Sequence, residues 1–243
     1  MCAGNINHSF MLVVVTGGSK GIGRAIITKF AAQGFDIATC SRGETELRLL
    51  KKEIEGQFNV RVYHFPADLA QKLEAAAFVQ YVKSLGRPID VLVNNTGIFV
   101  PGQVHTEEEG VLEMMINTNL YSAYHITRGL INEMIQRRQG HVFNICSTAS
   151  ITPYTNGGSY CISKFAMYGL TKVLREEMKP HNIRVTAVLP GATLTASWEG
   201  TDIPPDRFMK PEDVAEAIWA AWSLSGQTVI EELLIRPQLG DIG

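Results

Sequence analysis

The chain has 243 residues, of which 45% are hydrophobic and 19% charged, and its formal net charge at pH 7 is −2. That length fits one domain with a substantial core, and the composition is typical of a globular protein. The slight negative charge, without a basic run, argues against a nucleic-acid partner. Because the apolar stretches are strand-sized and residues 1–9 lack the features of a signal peptide, we expect a cytoplasmic protein without a membrane partner.

Apolar, β-branched runs alternate with amphipathic segments along the whole chain. They predict strands at 10–16, 35–41, 60–65, 89–94, 140–147, 183–189 and 228–235. Between them, the pattern predicts helices near 21–33, 44–56, 70–85, 107–137, 158–179 and 211–223. Such alternation is typical of an α/β fold with a parallel sheet, and right-handed crossovers make that sheet doubly wound. We therefore expect one Rossmann-type domain over residues 1–243, with about seven strands and helices on both faces.

The first predicted strand runs into a glycine-rich turn, which reads Thr16-Gly17-Gly18-Ser19-Lys20-Gly21-Ile22-Gly23. A strand, a glycine-rich turn and a helix form the first unit of a dinucleotide-binding fold. The glycines allow positive φ angles, and the helix that begins near Gly21 directs free N–H groups at a pyrophosphate. The alternative is an ordinary strand-to-helix turn, which would not need so many glycines.

The second predicted strand ends without an acidic residue, at Ser41-Arg42. An acid at that position would bind the adenosine ribose 2′-hydroxyl of NAD. The planar cation of Arg42 can instead bind a 2′-phosphate, and Lys20 in the glycine-rich turn adds a second positive charge. The sequence therefore favours NADP, unless both side chains are simply solvated surface cations.

Candidate site residues, most of them polar or glycine, also stand at or just after the ends of the third to sixth predicted strands. These residues are Asp68, Leu69, Asn94, Asn95, Thr96, Gly97, Ser147, Pro190 and Gly191. Because ligands bind at the carboxyl ends of parallel strands, we expect these residues to meet at one edge of the sheet. Asp68 could also be a helix N-cap before Leu69, and Asn94 could only hold strand ends together. Residues 191–210 lack periodicity and predict a short substrate loop.

Tyr160 and Lys164 are four residues apart in a predicted helix, so their side chains share one face. Free tyrosine has a pKa of about 10, and a lysine charge held nearby would lower it. With Ser147 holding a carbonyl oxygen, this set could reduce a ketone or oxidise an alcohol. The alternative for the Tyr160–Lys164 pair alone is a surface contact.

Cysteine and histidine spacing predicts no metal site. The cysteines are Cys2, Cys40, Cys146 and Cys161, without a Cys-x-x-Cys pair, and no two histidines are four residues apart. Neither a zinc site nor a disulfide framework is therefore expected. Cys146 and Cys161 adjoin the proposed catalytic residues, and we expect them to be small buried side chains.

Together these motifs resemble the short-chain dehydrogenase/reductase family, and the resemblance covers nearly the whole chain. The glycine-rich turn matches the family's Thr-Gly-x-x-x-Gly-x-Gly, and residues 94–97 are similar to its Asn-Asn-Ala-Gly. Ser147, Tyr160 and Lys164 match the family's catalytic residues in order and spacing, and Asn119 falls where the family carries a catalytic asparagine. With the strand ends, the resemblance implies cofactor contacts at Gly17, Ser19, Lys20, Gly21, Ile22, Gly23, Ser41, Arg42, Asp68, Leu69, Asn95, Gly97, Tyr160, Lys164, Pro190, Gly191, Thr193 and Thr195.

The resemblance also implies a role for each catalytic residue. Tyr160 would be the general acid in reduction and the base in oxidation. Lys164 would lower the tyrosine pKa and hold the nicotinamide ribose, while Ser147 would orient the substrate carbonyl. Asn119 would hold a water that links Lys164 to solvent, although it could instead only bond to helix backbone. The hydride chemistry would belong to NADP(H), without a metal.

The short segment after Gly191 and the carboxyl-terminal sequence resemble carbonyl-reductase and sepiapterin-reductase-like members. The substrate would then be a small carbonyl or alcohol compound, aliphatic or aromatic, because the candidate pocket residues are mostly apolar. Those candidates are Ile98, Phe99, Val100, Pro153, Tyr154, Asn156, Trp198 and Phe208. Alternatives are a 3-ketoacyl-carrier-protein reductase, an epimerase or dehydratase, and a catalytically silent NADP-binding regulatory protein. Two long helices that pair between subunits in the family imply a homo-oligomer, a tetramer or a dimer.

Overall fold

A computed structural model of the chain describes residues 11–198 and 200–242. Seven parallel strands form one sheet in the order β3-β2-β1-β4-β5-β6-β7. The strands are β1 (Leu12–Thr16), β2 (Asp36–Ser41), β3 (Val62–Pro66), β4 (Val91–Asn94), β5 (His141–Ile145), β6 (Arg184–Pro190) and β7 (Glu232–Ile235). The strand order reverses between β1 and β4, and ligands bind at such a reversal in open α/β sheets.

The helices are α1 (Gly21–Ala32), α2 (Glu44–Gln57), α3 (Lys72–Ser84), α4 (Val111–Ile116), α5 (Ser122–Arg137), α6 (Gly158–Met178) and α7 (Pro211–Ser223). A π-helical turn, Asn117–Tyr121, joins α4 to α5 without a break in the helix. Within the described ranges, no helix has both the length and the hydropathy needed to cross a bilayer.

Both faces of the sheet are covered, which explains the continuous apolar run of β1 from Leu12 to Val15. Val13 and Val15 pack on one face with residues of α1 and α7, whereas Leu12 and Val14 pack on the other with residues of α3 and α5. Successive side chains of a strand alternate between faces, so a strand covered on both sides needs apolar residues at every position. The prediction of a doubly wound parallel sheet is confirmed.

The structure corrects the predicted helix at 107–137. Helix α4 begins only at Val111, after Gly110 with a φ of +89°, and the π turn at Asn117–Tyr121 interrupts its α-helical hydrogen bonding. Glycine at positive φ readily ends a preceding loop, which explains the later start. The last strand begins at Glu232 rather than at residue 228, and Phe10 lies outside the described residues. Other predicted bounds differ from the structure by two residues or fewer.

His141 is fully buried at the start of β5. Its Nε2 lies 2.8 Å from Thr186 Oγ1, and its ring stacks on Phe143 with centroids 3.9 Å apart. Burial, helped by the positive charges of Arg184 and Arg175, holds the pKa of His141 well below its usual value. The folded protein therefore keeps this imidazole neutral, whereas the unfolded chain takes up a proton near pH 6.5.

We predict that acid destabilises the fold through His141. Because the folded-state pKa is the lower one, stability is fully present above about pH 6.5 and is lost as the pH falls below it. Between pH 7.5 and 5.5 the free energy of unfolding should drop by about 1 kcal/mol more in the wild type than in His141→Gln. Urea denaturation at both pH values measures this difference. Equal losses in the two proteins would contradict the assignment.

Candidate active site

The glycine-rich turn between β1 and α1 is tightly packed. Gly17 and Gly21 have φ angles of +66° and +57°, and the N–H groups of Gly17 and Gly18 both donate to the carbonyl of Cys40. A Cβ atom on Gly23 would lie 2.3 Å from the Gly17 carbonyl oxygen. The helix can approach the turn this closely only because residue 23 is glycine, as the dinucleotide-binding interpretation requires.

Asn95 fixes the shape of this turn from the neighbouring strand. Its Nδ2 donates to the carbonyls of Thr16 and Gly17 at 2.9 and 3.1 Å. The Thr16 hydroxyl accepts in return from the N–H groups of Asn95 and Thr96. The ends of β1 and β4 are thereby joined, so the Asn95 amide shapes the binding surface from behind.

Asn94 holds neighbouring elements together, as the interpretation that it only joins strand ends predicted. It is buried, and its Nδ2 donates to Thr127 Oγ1 and to Asn144 Oδ1, both at 2.8 Å. Asn144 in turn donates to Thr171 Oγ1 at 2.9 Å. This chain of amides and hydroxyls links β4 and β5 to α5 and α6.

Asp68 is not a helix N-cap, which corrects one of its interpretations. Helix α3 begins only at Lys72, and Gln71 occupies the N-cap position. Asp68 instead accepts a hydrogen bond from the Ala70 N–H at 3.1 Å and donates its own N–H to Glu74. Such an Asx turn directs the chain after β3 along the edge of the sheet.

Ser147 and Tyr160 meet where β5 ends and α6 begins. The Ser147 hydroxyl accepts from the Ala149 N–H at 3.1 Å. Burial raises the pKa of Tyr160 to about 12, although the nearby Ser147 hydroxyl opposes this rise. The sequence had predicted a lowered pKa, and the structure gives the opposite direction, so the phenol is protonated at neutral pH.

The position of Lys164 explains this difference. Its Nζ is buried, donates to the Ile145 carbonyl at 2.9 Å and lies 5.8 Å from the centre of the Tyr160 ring. The Nζ group is therefore held against the end of β5. Burial lowers the pKa of Lys164 itself.

Asn119 lies in the π turn and is buried behind the cleft. Its Oδ1 accepts from the Ile98 N–H at 2.7 Å, and its Nδ2 donates to the Ile98 carbonyl at 3.0 Å and to Ser163 Oγ at 2.9 Å. Ser163 donates onward to the Tyr160 carbonyl at 2.8 Å. Asn119 therefore contacts α6 through Ser163, while its side chain is bonded to protein on every side.

One cleft of about 1530 Å³ runs along the carboxyl edge of the sheet. It brings together all the predicted site residues except Gly23 and Asn119, which are buried behind its wall. Of the predicted substrate pocket, Ile98, Phe99, Tyr154, Asn156 and Trp198 line the cleft, whereas Val100, Pro153 and Phe208 are not part of its lining. The sequence analysis missed further lining residues, chiefly Glu46, Gln71, Met114, Asn117, Thr118, Ile203, Asp241 and Ile242.

No group of three metal-ligating side chains exists in residues 11–198 and 200–242. The three cysteines in those ranges, Cys40, Cys146 and Cys161, are free and buried, as expected of small core side chains. Burial raises the pKa of Cys146 to about 11, so its thiol stays protonated at neutral pH.

Comparison with known proteins gives one consistent result. Residues 11–203 match the family model described as short chain dehydrogenase. A sepiapterin reductase of Chlorobaculum tepidum is 30% identical over 239 residues, 95% of this chain and 98% of the relative. A 3-oxoacyl-acyl-carrier-protein reductase of Thermotoga maritima is 32% identical over 84% of this chain and 87% of the relative. The crystal structure of a metagenomic short-chain oxidoreductase in complex with NADP is 31% identical, covers 96% of this chain and 99% of its own, and has a TM-score of 0.84.

We predict that Gly23→Ala disturbs the glycine-rich turn. The added methyl group would overlap the Gly17 carbonyl and the Asn95 amide, 2.5 Å away. Such overpacking should cost about 1–3 kcal/mol of stability. Gly56→Ala is the matched control, since a Cβ there meets nothing within 4 Å on exposed α2, and it should stabilise by up to about 1 kcal/mol. Thermal denaturation of both variants tests the contrast, and equal effects would refute it.

Proposed function

This chain belongs to the short-chain dehydrogenase family, and we propose that it is an NADP(H)-dependent oxidoreductase acting on a carbonyl or alcohol substrate. The observation that carries the proposal is that Ser147, Tyr160 and Lys164 line one cleft. The same cleft contains Arg42 and Lys20, both exposed. Proton-transfer groups and an anion-binding region therefore share one surface.

The residues of the cleft fit a dinucleotide phosphate. At the N-cap of α1, Lys20 supplies no side-chain hydrogen bond to the first turn of the helix. Helix N–H groups without side-chain caps attract phosphate oxygens. In the cleft wall, Ser41 Oγ is buried without a hydrogen-bond partner among the described residues, next to Arg42. A phosphate on the adenosine ribose would satisfy both the hydroxyl and the guanidinium.

In the proposed reduction, the bound nicotinamide supplies the hydride. The Ser147 hydroxyl accepts from the Ala149 N–H and would donate a hydrogen bond to the substrate carbonyl oxygen. Tyr160, which holds its proton at neutral pH, transfers that proton to the same oxygen as negative charge develops there. Lys164 Nζ lies beside the tyrosine ring, where it would hold the nicotinamide ribose.

Asn119 would be the fourth member of the proposed catalytic set, and its role would be to hold other residues in place. Because both polar atoms of its side chain are bonded to protein, it holds Ile98 and Ser163 in place. A water bound by Asn119 would therefore have to use its backbone carbonyl. The carbonyl lies in the π turn, whose hydrogen-bond pattern differs from that of the α-helix around it.

The lining of the cleft favours an apolar aliphatic or aromatic carbonyl compound. Phe99 packs edge-on against Tyr160 with ring centroids 4.9 Å apart, and Tyr154, Trp198 and Met114 also face the cleft. This composition agrees with a carbonyl-reductase or sepiapterin-reductase-like activity. The Thermotoga relative supports an acyl-carrier-protein substrate as a second candidate. Comparing turnover of free ketones with that of a carrier-bound 3-ketoacyl group distinguishes the two.

We also propose that the protein is a symmetric homo-oligomer, a tetramer or a dimer. Large apolar side chains are exposed along α6 at Ile162, Phe165 and Val173, and at Tyr121 in the π turn. Exposed apolar surface of this kind is typical of association sites. A monomer in light scattering at micromolar concentration would refute this.

The free thiols of Cys40, Cys146 and Cys161 suit a reducing compartment, so we propose that the protein is cytoplasmic.

We predict that Tyr160→Phe loses catalysis and keeps NADPH binding. The phenyl ring preserves the packing against Phe99, but the proton donor is gone, and general acid–base groups contribute roughly 10²–10⁴ in rate. Turnover is measured by NADPH oxidation with a panel of ketones, and binding by NADPH fluorescence. A variant with more than about a tenth of wild-type activity would exclude Tyr160 as the acid. A wild type that binds NADPH but reduces no ketone would favour a silent regulatory protein.

The second prediction here concerns the choice between NADPH and NADH. Charge-assisted hydrogen bonds contribute about 1.5–3 kcal/mol, so Arg42→Ala should weaken NADPH binding roughly 10- to 100-fold and barely change NADH binding. Ser41→Asp should repel the phosphate and accept from the NAD ribose hydroxyl, which shifts the preference further. Dissociation constants for both cofactors measure these effects.

The matched control for Arg42 is Arg48→Ala. Arg48 is exposed on α2 and bonded to Glu44, and it does not line the cleft. Its loss should leave both dissociation constants unchanged. If Arg42→Ala weakens NADPH and NADH equally, Arg42 does not read the 2′-phosphate.

A further inference from the structure

We propose that Glu107 is a positioning residue, which holds the start of helix α6 so that Tyr160 faces Ser147. The proposal rests on the function proposed above, and it adds a residue that carries none of the proposed proton transfers. Glu107 lies in the loop between β4 and α4, and 52 positions separate it from its partner in α6.

The contact between Glu107 and α6 is a long-range helix cap. Its Oε1 accepts from the Ser159 N–H at 2.8 Å, and its Oε2 accepts from the Ser159 hydroxyl. Ser159 is buried and directly precedes Tyr160. Gly157, at the N-cap of α6, offers no side chain, and the first turn of α6 contains no acidic residue. Glu107 thus supplies both the missing cap and the negative charge that stabilises a helix N-terminus.

Glycines at two positions make room for this carboxylate. A Cβ on Gly158 would lie 2.0 Å from Glu107 Oε1 and 2.7 Å from the Gly102 carbonyl oxygen. A Cβ on Gly102 would lie 2.6 Å from Glu107 Cγ. Neither glycine has a positive φ, so close approach by Glu107, rather than backbone conformation, accounts for them.

Two further contacts join the loop of Glu107 to the segment before α6. The Gly102 N–H donates to the Asn156 carbonyl at 3.0 Å, and Gln103 Nε2 donates to Asn156 Oδ1 at 2.9 Å. Phe99, in the same loop, packs against the Tyr160 ring. The loop after β4 and the start of α6 therefore form one unit, in which Glu107 accepts the hydrogen bonds from the first turn of the helix.

The test compares four variants by ketone turnover, NADPH binding and hydrogen exchange at the Ser159 amide. Glu107→Ala should lower kcat about 10- to 100-fold, because displacements near 1 Å at a reacting group have effects of this size. The dissociation constant of NADPH should change less than about twofold, since Glu107 does not line the cleft. Exchange at Ser159 should accelerate by about tenfold or more, since its acceptor is lost.

The other variants separate a positioning role from a general loss of structure. Glu107→Gln keeps an acceptor for the Ser159 N–H and should retain kcat within about threefold. Gly158→Ala displaces the carboxylate without removing it, and should reproduce the effects of Glu107→Ala. Glu109→Ala, an exposed carboxylate in the same loop, is the matched control and should behave as wild type.

An unchanged kcat in Glu107→Ala would overturn the proposal, and so would a parallel loss of NADPH binding. If the wild type turns over no ketone, the proposed function fails. Hydrogen exchange still decides on the cap: faster exchange at Ser159 in Glu107→Ala and Gly158→Ala supports it, and unchanged exchange overturns it.

Discussion

The buried amide of Asn119 is the contact on which the geometry of the active site depends. It binds both backbone polar groups of Ile98 and reaches Ser163, which contacts the backbone of Tyr160. Three segments that are distant in sequence are thus held together by hydrogen bonds, of which the one between Asn119 and Ser163 is buried. Without the amide, the Ile98 N–H would lose its partner, and such a hydrogen bond contributes about 0.5–1.5 kcal/mol. The π turn at Asn117–Tyr121 contains the side chain that makes these bonds.

Much of the fold and of the cleft could be predicted from the sequence, because local pattern and topology agree. A strand with a continuous apolar run such as residues 12–15 has both faces covered, and runs of this kind indicated the parallel sheet. In a parallel sheet, the carboxyl ends of all the strands lie at one edge. Residues as distant in sequence as Ser19, Arg42 and Ser147 could therefore be assigned to one site before their distances were known.

The parts that could not be predicted depend on contacts between distant segments. The composition of the chain from Asn117 to Tyr121 is compatible with an ordinary helix, and the π turn is apparent only in the backbone hydrogen bonding of the structure. The pKa of Tyr160 was mispredicted because spacing places Lys164 on the same face but says nothing of burial or of the Ile145 carbonyl that holds the ammonium. Glu107 shows no motif, since its partner is 52 positions away.

The raised pKa of Tyr160 has a consequence for the direction of the proposed reaction. Because burial raises its pKa, the phenol is protonated in nearly every molecule at pH 7. Reduction uses the protonated species, which is nearly the whole population, so its rate is insensitive to pH in the neutral range. Oxidation requires the ionised species, and its rate rises about tenfold with each pH unit. Burial of a single hydroxyl would thus make the rate of oxidation depend on pH, while the rate of reduction would not.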